Sequence, residues 1–275
     1  MKASIIIPTF NRAYILENAI KSVIGQTIPD WEIVVVDDGS IDNTKVVVDS
    51  FNDNRIKYVY QINSGPSAAR NKAFEVIAGD WITYLDSDNE LFPNYLEVML
   101  SEIDDHPDTL YALPKGKRTL ELYKKDKLVK SIDDSGDFLD NLSVKDIFMR
   151  NFHFDGNGFM HSRRIIDEGY RWDEKLNLME EWDFVMTFAE KYPDNFLYIP
   201  HVLFHYHQRF GTDGLVSNAK YNEWAEAFEY IYRKHKNDKM LQGQGWYPNR
   251  VEKYRKLHEE YKAGNAPEPY LKYFS

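Results

Sequence analysis

Between residues 3 and 103 the chain alternates short apolar runs with segments of helical periodicity, and this alternation constrains the fold more than any other feature. Residues 3–7, 32–36, 56–61 and 81–85 read as strands; the second is a β-branched run held between Trp31 and Asp37. Ile15, Ala19, Ile20, Val23 and Ile24 recur at helical spacing, and 43–51 reads as a helix with Asp42 as its cap. A third helix is expected over 66–77, opened at Ser64 and stopped at Gly79, and a fourth over 93–103 with Leu96, Met99, Leu100 and Ile103 on one face. Such alternation implies an α/β fold with a mostly parallel sheet covered on both sides. Ligands of these sheets bind beyond the carboxyl ends of the strands. That rule selects four loops, at 8–12, 37–40, 63–70 and 86–89.

The pattern changes near Pro114. Residues 120–123 and 128–130 resemble a hairpin, Asp155-Gly156-Asn157-Gly158 is turn chemistry, 181–191 is helical, and 196–199 and 204–207 read as two strands. Tyr221, Trp224, Phe228 and Ile231 or Tyr232 mark an amphipathic helix, and Val251, Tyr254, Leu257 and Tyr261 repeat that pattern weakly. The chain divides at 1–114, 115–217 and 218–275: two halves of one domain and a helical tail that either packs on that domain or pairs two copies in a homodimer.

Composition removes several classes. With 34 Lys and Arg against 44 Asp and Glu, the formal charge is −10, which argues against a nucleic-acid footprint and against anionic lipid for the chain as a whole, local basic clusters aside. The absence of cysteine excludes disulfides and thiolate chemistry. No apolar run approaches the ~20 residues of a membrane span or forms a secretory core. The expectation is a soluble, cytoplasmic protein, with peripheral membrane attachment left open.

The selected loops carry the chemistry. In Tyr84-Leu85-Asp86-Ser87-Asp88 the two acids are alternate residues at a strand end, so both can face one cation; oxygen ligands suit Mg²⁺ or Mn²⁺ shared with substrate phosphates. An isolated pair of this kind is more often a solvated turn, and its position at the crevice is what favours function. Val36-Asp37-Asp38-Gly39-Ser40 can accept hydrogen bonds from a base or ribose across a turn that Gly39 permits. In Pro8-Thr9-Phe10-Asn11-Arg12, Phe10 can stack on a base and Arg12 can meet phosphate. Arg70, in Gly65-Pro66-Ser67-Ala68-Ala69-Arg70-Asn71, lies about one helical turn in and aims at the same crevice. No phosphate-binding glycine loop and no zinc-protease motif is present, so phosphates fall to a metal and arginines.

These four motifs, in this order and spacing, resemble the inverting glycosyltransferases of family 2, which have the GT-A fold. The resemblance is strong over roughly the first 110 residues and weaker to about 217. It implies transfer of a sugar from a nucleotide diphosphate, UDP by family habit, to a hydroxyl of a glycan or lipid-linked acceptor. Pro8, Phe10 and Asp38 are then expected to line the base and ribose pocket, with Asp37 beside them, Arg70 nearby, and Thr9, Arg12 and Ser87 in the same nucleotide-sugar-binding set. Asp86 is expected near ribose and metal, Asp88 as the direct ligand of Mn²⁺ or Mg²⁺, and His207 as completing the metal shell, with Arg209 as an alternative phosphate partner. The family's catalytic base is the second acid of a Glu-Asp pair; in Met179-Glu180-Glu181-Trp182-Asp183 that position is Glu181, with Glu180 and Asp183 as rivals. His161 lies in the stretch that leads toward the acceptor site, and 210–217 is expected to form a lid. Two other readings compete: a sugar-nucleotide nucleotidyltransferase, which would carry a basic glycine-rich loop where residues 8–12, with no glycine, stand, and an inactive nucleotide-sugar-binding protein.

Overall fold

Alternate residues of a strand point to opposite faces, and in the first two strands both faces are apolar. The structure, a computed structural model, describes residues 3–125, 127–134, 156–212, 214, 218–239 and 246–265. Its first half runs β1 (Ala3–Thr9), α1 (Ala13–Ile24), β2 (Trp31–Asp37), α2 (Thr44–Ser50), β3 (Ile56–Tyr60), α3 (Pro66–Ala73), β4 (Trp81–Tyr84), β5 (Glu90–Leu91) and α4 (Tyr95–Asp105). Ile5, Ile7, Ile33 and Val35 pack with Leu16, Ile20 and Val23 of α1 and Leu96 and Met99 of α4. Ile6, Val34 and Val36 point the other way, to a second core with Ala69 and Ala73 of α3. The sheet is thus buried on both sides, which requires runs of apolar residues rather than alternation with polar ones.

The second half adds β6 (Tyr111–Lys124), β7 (Lys127–Asp133), β8 (Met160–Ser162), α5 (Arg163–Asp167), α6 (Glu180–Ala189), β9 (Phe196–Phe210), α7 (Tyr221–His235) and α8 (Trp246–Lys262). Strand order is β3-β2-β1-β4-β8-β6-β9-β5, with β7 on β6. The first four strands are mutually parallel, and β8 joins β4 antiparallel, so one sheet passes through residue 114 without a break. Chain order reverses between β1 and β4, the switch point at which such sheets open a crevice.

Several element bounds differ from expectation. The third helix stops at Ala73 and continues as turns, and the fourth starts at Tyr95, past Pro93. Residues 196–210 form one strand rather than two. Pro200, which lacks the N–H a ladder needs, falls where the register with β6 jumps from Ile199–Pro114 to Val202–Lys115, so a bulge absorbs it. The hairpin is present but longer, β6 beginning at Tyr111. Within the lid segment, 213 and 215–217 lie outside the described residues, as do Asp155 and 135–154 of the acceptor half. The amphipathic face of α7 is spent on the chain's own domain: Phe228 and Ile231 join the second core, and Tyr254 of α8 stacks on Trp224 and Phe228.

His161, in β8, is fully buried. Tyr84 Oη pairs with its Nε2 at 2.7 Å, Ser162 O faces Nδ1 at 2.9 Å, and Trp172 Nε1 donates to Tyr84 Oη at 3.2 Å. Burial pushes its pKa down to about 4. As pH falls below the ordinary value of 6.5 the unfolded chain takes up a proton that the folded chain refuses, so stability is lost between about pH 6.5 and pH 4. His161→Gln is expected to flatten that part of a urea-midpoint-versus-pH profile, whatever its effect at pH 8.

Candidate active site

The four strand-end loops meet at one cleft of about 580 Å³, within the range of small-molecule sites. The β1 loop contributes Pro8, Thr9, Phe10 and Arg12; β2 contributes Asp38; α3 contributes Arg70; the β4 loop contributes Asp86, Ser87 and Asp88. From the second half come Glu181 and His207. Asp37 is the exception among the expected site residues. Its carboxylate accepts from Tyr58 Oη at 2.6 Å and the Ser40 N–H at 2.8 Å, and the residue is buried behind the wall.

Asp38 has structural work as well as a place on the lining. Its carboxylate accepts from Gln61 Nε2 at 2.7 Å and from the N–H groups of Ser64 and Gly65 at 2.8 Å each. It therefore caps α3 from a neighbouring strand, satisfying amides that a helix start leaves open; Ser64 does not cap the helix itself. The turn between them is tight: Gly39 has φ +88°, and a Cβ there would lie 2.8 Å from the Asn63 nitrogen. Asp42 likewise accepts from the first residues of two helices, Thr44 N at 3.0 Å and Ala13 N at 2.9 Å.

Opposite charges line the rest of the cleft. Arg70 is buried, sits over the Trp172 ring, and pairs with Asp86 at 3.0 Å and Glu180 at 3.2 Å, joining the two halves of the domain. Burial disfavours its charge, but Asp86, Glu180 and Glu181 around it hold the guanidinium charged. Asn157 fixes Asp86 from the other side, accepting its N–H at 2.6 Å and donating to its carboxylate at 3.1 Å. Asp88 pairs with Arg12 at 3.0 Å and Arg209 at 3.7 Å. Burial nonetheless pushes its carboxyl pKa up, with Arg12 pulling against it, so this is an acid that gains from added positive charge. Glu121 of β6, which no sequence motif marked, holds His207 Nδ1 at 3.0 Å and Arg209 Nε at 3.2 Å. Only the pairing of two long strands brings these residues together, so no local signal could have found Glu121.

The start of α6 separates three acids that the sequence could not. Met179, the residue before it, is buried at φ 61°, a left-handed backbone that costs a bulky residue about 1–3 kcal/mol. Glu180 is buried against Arg70. Asp183 is 0% exposed and accepts from Lys234 Nζ at 2.7 Å, with His235 Nε2 at 2.8 Å, both on α7. Glu181 is the half-buried one, and it lines the cleft. Its side chain lies against Gly156, where a Cβ would come within 2.7 Å of Glu181 Cγ. Gly156→Ala is therefore expected to displace the Glu181 carboxylate and lower kcat at least tenfold with little change in nucleotide affinity, as read by steady-state kinetics beside a UDP titration.

The donor set suits a hard divalent cation that takes few protein ligands. Among the described residues no three His, Asp or Glu side chains gather into a complete metal cage. Asp86 and Asp88 do line the cleft, and His207 Nε2 is buried without a hydrogen-bond partner while Glu121 fixes the opposite ring nitrogen. A carboxylate behind an imidazole is the usual support of a metal-binding histidine, and Mg²⁺ or Mn²⁺ commonly completes its shell with substrate phosphates.

A sheet with this switch point, acids at the ends of β2 and β4 and a further acid from the second half are the architecture of the GT-A fold. The family model "Glycosyl transferase family 2" matches residues 4–169, and the chain belongs to that family; it is a glycosyltransferase. It is 32% identical over 276 residues to the Campylobacter jejuni GalNAc(5)-diNAcBac-PP-undecaprenol beta-1,3-glucosyltransferase, covering 95% of this chain and 85% of that one. It is 40% identical over 99 residues to WfgD of Escherichia coli, a UDP-Glc:alpha-D-GlcNAc-diphosphoundecaprenol beta-1,3-glucosyltransferase, covering 36% of this chain and 39% of that one. The fold matches that of S. aureus TarS 1-349 in complex with UDP-GlcNAc with a TM-score of 0.67 at 20% identity, covering 93% of this chain and 72% of that one.

Proposed function

We propose that the protein moves a hexose or N-acetylhexosamine from a UDP-sugar to a hydroxyl of a lipid-linked glycan, with inversion at the anomeric carbon, in the cytoplasm. The observation that carries this reading is the placement of the acids at the start of α6: Glu180 and Glu181 both line the cleft that Asp86 and Asp88 line, but Glu180 is buried in its pair with Arg70, Asp183 lies off the lining, and Glu181 is the more exposed acid. The relatives support the substrates, since two are named for diphosphoundecaprenol acceptors or UDP-glucose and a structural neighbour was solved with UDP-GlcNAc.

In this mechanism Phe10, 44% exposed at the lip of the cleft, receives the base, and the β2 and α3 loops hold the ribose. Arg70, held charged by its three acids, keeps Asp86 oriented. Glu181 Oε takes the acceptor's proton as that oxygen attacks C1 from the face opposite the leaving diphosphate; a positioned base is worth about 10²–10⁴-fold. The transition state has oxocarbenium character, and the single displacement inverts C1. Asp88, with Asp86 and His207 beside it, would hold Mn²⁺ or Mg²⁺, which would neutralise charge on the departing diphosphate. No protein acid is then needed on the leaving side.

A thermal-shift series with UDP-, GDP- and dTDP-sugars, with and without Mn²⁺, tests the donor. UDP-sugars should raise Tm most, and more so with Mn²⁺. An equal response to all three nucleotides, or none to any, would remove this reading.

A further inference from the structure

The tip of the β6–β7 hairpin carries a charge opposite to that of the chain. Residues 124–130 contain four lysines and one aspartate, against −10 for the whole protein. Lys124, Lys125, Lys127 and Lys130 are exposed. Leu128 and Val129 stand among them at 51% exposure each; as consecutive strand residues they point to opposite faces, so among the described residues neither face of β7 is fully covered there. Among the described residues β7 pairs with β6 alone. At the hairpin's base the charges are paired, Lys117 with Asp133 at 4.0 Å and Arg118 with Asp134. At the tip, Lys124 and Lys127 stand directly across from each other, an arrangement that costs an isolated ladder stability. Lysines on an edge strand also deter pairing between copies, but two open aliphatic side chains on that edge work against such a purpose.

Composition points to one occupant. Interfaces between proteins favour Tyr, Trp and Arg and are depleted in Lys, and nucleic-acid strands are gripped by arginines and stacking aromatics; residues 124–130 contain none of these. Lysine interleaved with aliphatic residues suits an anionic bilayer surface, where ammonium groups meet headgroup phosphates and the aliphatics enter the interface. The acidic body does not forbid this, because fields beyond roughly 8 Å are screened at physiological salt. The tip also lies near the site: β6 carries Glu121, which holds His207 and Arg209, and Lys125 lies four residues farther on, about 13 Å at strand rise.

We propose that this hairpin docks the protein on the anionic headgroups of a lipid bilayer. The docking goes beyond the transfer reading; that it brings the cleft beside a lipid-linked acceptor rests on that reading. The whole chain should sediment with vesicles of phosphatidylethanolamine and phosphatidylglycerol, less with phosphatidylcholine alone, and less as salt is raised. The triple variant K124E/K125E/K127E should lose about tenfold or more of that binding, and L128S/V129S should lose the part that survives high salt. Both should keep the wild-type Tm and the wild-type Tm response to UDP. Wild-type protein that fails to sediment with either vesicle, that sediments equally with both, or whose charge-reversed variant binds like wild type would each overturn the proposal. Failure of the transfer reading looks different: no UDP response in any variant, with vesicle binding intact.

Discussion

Glu181→Gln is expected to lower kcat by about 10²–10⁴-fold while UDP-sugar affinity stays within a few-fold of wild type. The substitution keeps the shape of a side chain that lines the cleft and removes only its ability to take a proton. Its neighbours give the contrast that makes the result informative. Asp183→Asn breaks a buried charged contact to Lys234 and His235 and is expected to cost about 3 kcal/mol of stability, read as a lower urea midpoint. Glu180→Gln weakens one of two partners of Arg70 and is expected to act on nucleotide binding as well as on rate. Near-normal turnover in Glu181→Gln would move the base elsewhere.

Asp88→Ala is expected to lower transfer by at least about 10²–10³-fold and to abolish the Mn²⁺-dependent part of UDP binding. The neighbouring arginines make the direction of the metal-free signal diagnostic. With the carboxylate gone, Arg12 and Arg209, now 3.0 and 3.7 Å from it, face the cleft with one counter-charge fewer. UDP affinity without metal should therefore hold or rise while the Mn²⁺ increment disappears, as calorimetric titration with and without Mn²⁺ would report. An undiminished Mn²⁺ increment in Asp88→Ala would take the cation away from this acid.

The first-half lining of the cleft was legible because it is local. Each loop at 8–12, 37–40, 63–70 and 86–89 follows a strand of the parallel part of the sheet, and the strand-end rule needs only the order of elements, not their packing. Three features were not legible, each for a non-local reason. Asp37 and Asp38 are adjacent acids in a single turn, and only the position of Tyr58 on the next strand decides that one turns inward while the other caps α3. The pairing of Glu121 with His207 depends on the alignment of β6 with β9, across a register shift at Pro114 and Lys115. The separation of Glu181 from Glu180 and Asp183 depends on Arg70 from the first half and on Lys234 and His235 of the tail. For the tail, the amphipathic pattern predicts a buried face but not which core receives it, and Phe228 and Ile231 join the one that also holds Ala69 and Ala73 of α3.

The anomeric configuration of the product tests the central claim most directly, because a base that activates the acceptor without attacking the sugar permits only one displacement. With an α-linked UDP-sugar donor, proton NMR of the purified glycoside should show a β linkage, formed at a rate that collapses in Glu181→Gln. An α-linked product would require a second displacement or front-face attack and would contradict the account.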